Sequence, residues 1–374
     1  MKLIQYTNQV TGHDCLLTTE DYASICKVKH GRELEFYRDV DESLRPHLPL
    51  FQGVVDVTVS VDEDGKYDFN GHFENGRKNG FITASSDISK RAFQNDYKYR
   101  NLEPSQLEED PNFKRNFFTN DFSKGLPAPP CDVGRNPWAE RVQRMGRHTK
   151  HKGKTITYII LENLTKKFEK PCILDMKTGT QLYAKSECTQ EKFSHRERKN
   201  RTTTTAAIGL RLSGFQVYQD GGFVCRDKFY GRGLTPKGLE DSVRLFFTGK
   251  NNALRRKMIN NVIEKVQINI SVLSNLHGYR FFGSSIVVVY EGHDADVIHV
   301  NDKSPRTDVR LVDFAHCRTE AFDDDEAKTV GPDKGFIYGL SSFIQILKNI
   351  QIQQSESGTQ INNSDCCSKN WSTD

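Results

Sequence analysis

Pro171-Cys172-Ile173-Leu174-Asp175-Met176-Lys177-Thr178-Gly179 places one acid and one base two residues apart, just after an apolar, strand-like segment. In an extended chain side chains alternate between faces, so Asp175 and Lys177 project to the same side. Pro171 ends whatever precedes the run, and Gly179 permits a tight backbone turn directly after the charged pair. Such a pair suits a place where one polyanion is held against another: Lys177 can neutralise a transferring phosphoryl group while Asp175 orients an acceptor. A bare Asp-x-Lys pair is more often a salt bridge on an edge strand. The framing Pro and Gly, and the surrounding sequence, turn the reading toward chemistry.

Working outward, Thr155 to Leu161 is a buried-strand pattern that runs into Glu162-Asn163-Leu164. Downstream, Thr189 to Arg201 is polar and basic, and Lys192, Arg196 and Lys199 are spaced to share one helical face. Ala206 to Tyr218 and Gly221 to Tyr230 read as paired strands joined by Gln219-Asp220-Gly221-Gly222. Leu239 to Phe247 and Ala253 to Leu276 carry amphipathic helical spacing. A strand pattern through Tyr290 is preceded by the hydroxyls of Ser284-Ser285, and Val309 to Val312 is an apolar strand ending in Asp313-Phe314-Ala315-His316. Gly335 to Asn349 is a closing amphipathic helix.

Toward the N-terminus, Leu3 to Val10, Cys15 to Thr18 and Tyr22 to Val28 are strand-like, Arg32 to Val40 has helical spacing, and Gly53 to Val61 alternates with Val55, Val57, Val59 and Val61 on one face. Asp62-Glu63-Asp64-Gly65 is a hairpin turn signal. Residues 81–135 lack apolar periodicity and end in Pro127-Ala128-Pro129-Pro130, the composition of a long mobile insertion. Asn136-Pro137-Trp138 opens a helix through Met145, with Pro137 in a first turn that tolerates it and Trp138 as a packing anchor.

The 36% hydrophobic content is low for a compact chain, which implies a sizeable part outside any core. The net charge of +4 says little about partners and throws the weight onto where the basic residues cluster. Nine cysteines without a C-x-x-C pair argue against structural zinc and for reduced thiols in the cytosol or nucleus. The longest apolar run, Ile286 to Tyr290, is too short to cross a bilayer, so a soluble protein with no membrane span is expected. The basic helix lacks interleaved aromatics, so nucleic acid is not an expected partner. Asp323-Asp324-Asp325-Glu326 reads as a solvated loop.

The P-x-x-x-D-x-K-x-G run is similar to the signature of the inositol polyphosphate kinases, and its surroundings resemble the inositol hexakisphosphate kinase branch. The patches that carry the likeness are Gly12-His13, Cys26-Lys27, Arg32-Glu33 with Phe36-Tyr37, Asn136-Pro137-Trp138 to Gln143-Arg144-Met145, Leu161 to Leu164, Ile208 to Tyr218, Ser284-Ser285 and Asp313 to His316. Ile286-Val287 stands where the family usually has two leucines, a departure in side-chain shape only. The resemblance implies an α+β, two-lobed kinase-like fold: a small antiparallel β lobe with one helix at 1–160, interrupted by the 81–135 insertion, a larger α+β lobe at 161–352, and a disordered tail at 353–374.

It further implies an ATP-dependent, Mg²⁺-requiring transfer to inositol hexakisphosphate, with lower inositol phosphates as possible secondary substrates. No G-x-G-x-x-G covers the nucleotide; the resemblance assigns that place to Val10-Thr11-Gly12-His13. Lys27 then holds the ATP phosphates, oriented by Glu33 or by Glu35, and Glu162 and Leu164 meet adenine through their main chain. Asp313 binds Mg²⁺ with Ser285, Lys177 bridges donor and acceptor beside Asp175, and Lys192, Arg196 and Lys199 hold the substrate. Arg196 departs from the family pattern. A hydroxyl-phosphorylating multikinase and a catalytically silent inositol phosphate sensor are the competing readings.

Overall fold

The structure is a computed structural model that describes residues 3–61, 67–72, 85–86, 136–144, 153–185, 188–293, 307–319 and 331–364. The chain divides into two units, the first comprising Met1–Lys29, Leu50–Lys166 and Gly222–Cys225, the second His30–Pro49, Lys167–Gly221 and Arg226–Asp374. The 81–135 insertion lies outside the described residues apart from 85–86, as do the 62–65 turn and the 323–326 acidic run.

The first unit begins with three short strands, β1 (Leu3–Gln5), β2 (Leu17–Thr19) and β3 (Ser24–Val28). The chain then makes helix α1 (Glu33–Asp39), which belongs to the second unit, and returns as β4 (Phe51–Val61), β5 (Tyr67–His72) and β6 (Ser85–Ser86). Helix α2 (Pro137–Arg144) and β7 (Thr155–Glu162) follow. The seven strands form one sheet in the order β1-β2-β3-β7-β4-β5-β6, antiparallel throughout. Its core is the alternating set read from the sequence: Val55, Val57 and Val59 are fully buried with Leu3, Leu17, Cys26, Phe69 and Tyr158.

The second unit is built on β8 (Pro171–Thr178). Helices α3 (Gln190–Thr202) and α4 (Thr204–Ile208) lead to β9 (Leu210–Gln219), and a turn with positive φ at Asp220 and Gly221 leads to β10 (Gly222–Arg226), whose first four residues count with the first unit. Helices α5 (Lys228–Arg232), α6 (Pro236–Phe246) and α7 (Arg256–Asn275) precede β11 (Tyr279–Arg280), β12 (Ser285–Glu291), β13 (Thr307–Val312), β14 (Arg318–Thr319) and the closing helix α8 (Lys334–Ser364). Within this unit β9, β8, β12 and β13 lie side by side in that order, all antiparallel. Nearly every residue of β8 is buried, so both of its faces are covered.

Four expectations are corrected. Residues 30–49 pack with the second unit instead of the N-terminal lobe, for reasons given below. Ala206 to Ile208 is helical: Thr204 Oγ1 donates to the Leu210 carbonyl at 2.5 Å, and Gly209, at φ +64°, ends the helix in the left-handed conformation glycine permits. Lys228–Arg232 is helical because the Asp227 carboxylate accepts from the amides of Phe229 and Tyr230, a cap that overrides the strand preference of those aromatics. Residues 353–364 continue α8, since adding turns to a packed helix escapes the nucleation cost that keeps a polar peptide unfolded.

Candidate active site

In the first unit Lys27 lies on β3 opposite Ile159 of β7. Its neighbour Cys26 faces the core, where burial pushes the thiol up to about 12, so alternation turns Lys27 to the other face. The Val10 to His13 loop is tied by the buried Gln9, whose Nε2 donates to the carbonyls of Thr11 and Asp14, both at 2.8 Å, while its Oε1 accepts from the Leu16 amide at 3.0 Å. Trp138 Nε1 donates to the Gly12 carbonyl at 3.2 Å from α2, whose first turn is capped by Asn136 Oδ1 on the Trp138 amide at 2.8 Å. Trp138 is thus the packing anchor expected of it. Gln9 carried no sequence signal, because a lone glutamine in a loop has no periodicity.

At the end of β7 the Glu162 amide donates to the Leu50 carbonyl at 2.9 Å, and the Glu162 carboxylate accepts from the Leu50 amide at 3.3 Å. Asn163 Nδ2 holds the Tyr22 carbonyl at 2.8 Å, and its Oδ1 takes the Thr165 amide and hydroxyl at 3.0 and 2.8 Å. The backbone amide and carbonyl of the intervening Leu164 have no hydrogen bond among the described residues. Glu162 therefore has its amide already engaged, whereas Leu164 has main-chain groups to offer.

In the second unit the register sets Ser285 opposite Lys177, and also opposite Val312, one residue before Asp313. Lys177 Nζ donates to Asp313 Oδ2 in a half-buried ion pair. Asp313 sits at φ +68°, a left-handed backbone that non-glycine residues seldom adopt. Its carbonyl accepts from Ser284 Oγ at 2.9 Å. Asp175 faces Val287 across the same pair of strands and is 4% exposed. The structure thus gathers Lys177, Ser285 and Asp313 at one end of the sheet, with Asp175 two residues back on the same face of β8.

Helix α3 forms as its spacing predicts, capped by the Thr189 hydroxyl on the Lys192 amide at 3.4 Å. Lys192 is exposed and Arg196 and Lys199 are half-buried; Arg196 Nη1 donates to Cys188 Sγ at 3.5 Å. Asn200 Nδ2 reaches the Thr180 carbonyl at 2.7 Å, which fastens the C-terminal half of the helix to the chain just beyond Lys177.

Among the described residues no three His, Cys, Asp or Glu side chains cluster to form a protein-built metal cage. Mg²⁺ does not require one: it is a hard cation that takes one or two protein oxygens and fills its octahedron with water and substrate phosphate. Asp313 supplies a carboxylate. The Ser285 Oγ, fully buried and with no hydrogen-bond partner among the described residues, supplies a second oxygen in need of one. The donor set fits.

Residues 158–348 match the description of the family named "Inositol polyphosphate kinase". The chain is 28% identical to inositol hexakisphosphate kinase 2 of Oryctolagus cuniculus, covering 94% of this chain and 95% of that protein. It is 26% identical to inositol hexakisphosphate kinase 1 of Rattus norvegicus, covering 92% and 93%. Among solved structures, the inositol phosphate multikinase of S. cerevisiae in complex with ADP and Mn²⁺ aligns with a TM-score of 0.53 at 20% identity, over 88% of this chain and 99% of that one. That likeness extends to the fold.

Proposed function

The chain belongs to the inositol polyphosphate kinase family, and from that premise we propose that it transfers the γ-phosphoryl group of ATP to inositol hexakisphosphate, giving a diphosphoinositol product. The observation that carries the reading is the Lys177–Asp313 pair beside the Ser285 hydroxyl, in a chain whose near-full-length relatives bear the name inositol hexakisphosphate kinase. Phosphoryl transfer asks a protein chiefly for positioning and charge stabilisation. Lys27 holds the phosphates of ATP, and Glu162 and Leu164 meet the adenine through their main chain, Glu162 by its carbonyl because its amide is engaged with Leu50. Asp313 and Ser285 are the residues that would hold Mg²⁺, which when bound neutralises phosphate charge. Lys177 meets the charge that moves between donor and acceptor.

An acceptor that is already a phosphate changes what is asked of Asp175. Such an oxygen is anionic at neutral pH and needs no general base. A carboxylate about 4 Å from it is repelled by roughly 4 kcal/mol at an effective dielectric of 20, so Asp175 is tolerable only where Lys177 or a metal offsets it. Among the described residues no helix is long and apolar enough to cross a membrane, and Cys15, Cys26, Cys172, Cys188, Cys225 and Cys317 are free thiols, which suits the reducing cytosol or nucleus.

The deciding experiment is incubation with ATP, Mg²⁺ and inositol hexakisphosphate, with the product read by mass and phosphorus NMR. A pyrophosphate linkage is expected. Phosphorylation only of ring hydroxyls on lower inositol phosphates would make the chain a multikinase instead, and no substrate-dependent ATP consumption would make it a sensor.

Lys192, Arg196 and Lys199 form the wall that holds the substrate. Six phosphate groups carry roughly −9 to −12 at neutral pH, and each partly exposed cationic contact contributes on the order of 1 kcal/mol. The Lys192→Ala, Lys199→Ala double variant is therefore expected to raise KM for inositol hexakisphosphate by roughly tenfold to a hundredfold. Because these contacts exist before and during transfer, kcat changes much less. An unchanged KM and salt dependence would mean that this helix face is merely solvated.

A further inference from the structure

The segment 30–36 closes on the backbone that carries Asp313. Gly31, at φ +49°, lies so near that a Cβ there would stand 2.2 Å from the Ala315 carbonyl oxygen. The Arg32 amide donates to that same carbonyl at 3.1 Å. Glu33, wholly buried, accepts the Phe314 amide on Oε1 at 3.3 Å. Phe36 then stacks on Phe314 with ring centroids 4.1 Å apart, and Tyr37 meets the same ring edge-on at 5.7 Å. With Ser284 on the Asp313 carbonyl, the peptide unit that joins Asp313 to Phe314 is held at both of its polar groups, the carbonyl by Ser284 and the amide by Glu33, and the unit after Ala315 is held by Arg32.

We infer that Glu33 is a positioning residue for Asp313. Its carboxylate oxygen fixes the amide that follows Asp313, holds that residue in its left-handed conformation, and so aims the Asp313 carboxylate at the divalent cation. The inference rests on the assignment of Asp313 as metal ligand made above. A left-handed backbone at a non-glycine residue persists only when its surroundings over-determine it, and a buried carboxylate is a stronger acceptor for an amide than a neutral group. This role differs from orientation of a strand lysine. Ion pairing requires the negative charge of Glu33; accepting an amide proton requires only its oxygen.

Substitutions separate the two. Glu33→Gln keeps the accepting oxygen and removes the charge, whereas Glu33→Ala removes both. Three readouts on the purified full chain apply: Mn²⁺ binding followed by electron paramagnetic resonance with a non-hydrolysable ATP analogue and no acceptor, protection of the Phe314 amide by hydrogen exchange, and the Mg²⁺ concentration for half-maximal turnover. Glu33→Ala should weaken Mn²⁺ about tenfold, lose the protection, and raise the Mg²⁺ requirement in parallel. Glu33→Gln should stay within about threefold of the parent on all three. Should Glu33→Ala fail to fold, Glu33→Met, similar in shape and without an acceptor, takes its place.

Equal impairment by Gln and by the variant without an acceptor, or unaltered Mn²⁺ affinity in the latter, overturns the inference. Asp313→Asn run alongside tests the premise separately: if it binds Mn²⁺ like the parent, Asp313 is not the ligand and the assignment beneath the inference fails first.

Discussion

Asp313→Asn is expected to lower kcat by about a thousandfold or more, equivalent to about 4 kcal/mol in the barrier, in a protein that remains folded. The side chain is about one-third exposed at the end of a strand, and the bonds from Ser284 and to Glu33 are made by the backbone on its C-terminal side, which the isosteric substitution leaves in place. What the substitution removes is the proposed anionic metal ligand and the counter-charge of Lys177. Both matter most as charge redistributes between donor and acceptor, so the loss should fall on kcat and not only on KM. Lys177→Ala should be about as damaging, with one difference that identifies each role: the Asn variant needs more Mg²⁺ to reach its residual rate, and the Ala variant does not. Parent-level turnover by either purified, folded variant would sink the assignment.

The second large effect falls on stability. Gly339→Ala should lower Tm by about 6–12 °C, from a cost of about 3 kcal/mol at the upper end of the usual overpacking range. Gly339 of α8 sits against the end of the β8 signature: a Cβ there would stand 2.3 Å from the Gly209 carbonyl oxygen, 2.9 Å from Thr178 Cγ2 and 3.0 Å from the Gly179 amide nitrogen. That carbonyl is already engaged, because it accepts the Gly179 amide at 2.9 Å. Backbone atoms cannot rotate away as a side chain can, so the helix must shift or the Gly179–Gly209 bond must break. Since that bond follows Lys177 by two residues, activity should fall at temperatures well below the new Tm. Gly335→Ala on the same helix is the control: its Cβ would meet first the Thr180 Oγ1, at 2.6 Å, a rotatable hydroxyl. Calorimetric melts of the three proteins decide the matter, and a Gly339→Ala melt matching the parent would refute the argument.

Legibility in the sequence depended on whether a residue's neighbours along the chain were also its neighbours in space. Val55, Val57 and Val59 were readable because alternation on one strand is the burial pattern itself. Asp175 and Lys177 were readable as a same-face pair, and β8 pairs with β12 in unbroken register through both. What joins Lys177 to Asp313 is the lateral order of β8, β12 and β13, which no local pattern encodes; only family resemblance suggested that the two act together. The affiliation of α1 was hidden more completely. Phe36 and Tyr37 look like any aromatic pair on a short helix, and nothing near them in sequence says that their partner is Phe314. Phe229 and Tyr230 misled in the opposite sense: their strand preference was visible, but the Asp227 cap and the approach of Gly231 to within 2.1 Å (for a Cβ) of the Leu212 carbonyl were decisive.

The excursion of residues 30–49 into the second unit bears on how such a chain can be cut or recombined. A boundary between Lys166 and Lys167 looks natural on a linear map, yet a fragment beginning there would lack the ring that covers Phe314 and the acceptor for its amide. The complementary fragment would carry Phe36 and Tyr37, both nearly fully buried in the whole protein, with no surface to bury them against. Two relatives crossed at that point would hand Asp313 of one parent to the helix of the other, with every mismatch falling on the backbone around it. The exchangeable modules of this protein are therefore not its two halves in sequence; a working chimera has to move 30–49 together with the residues after 166.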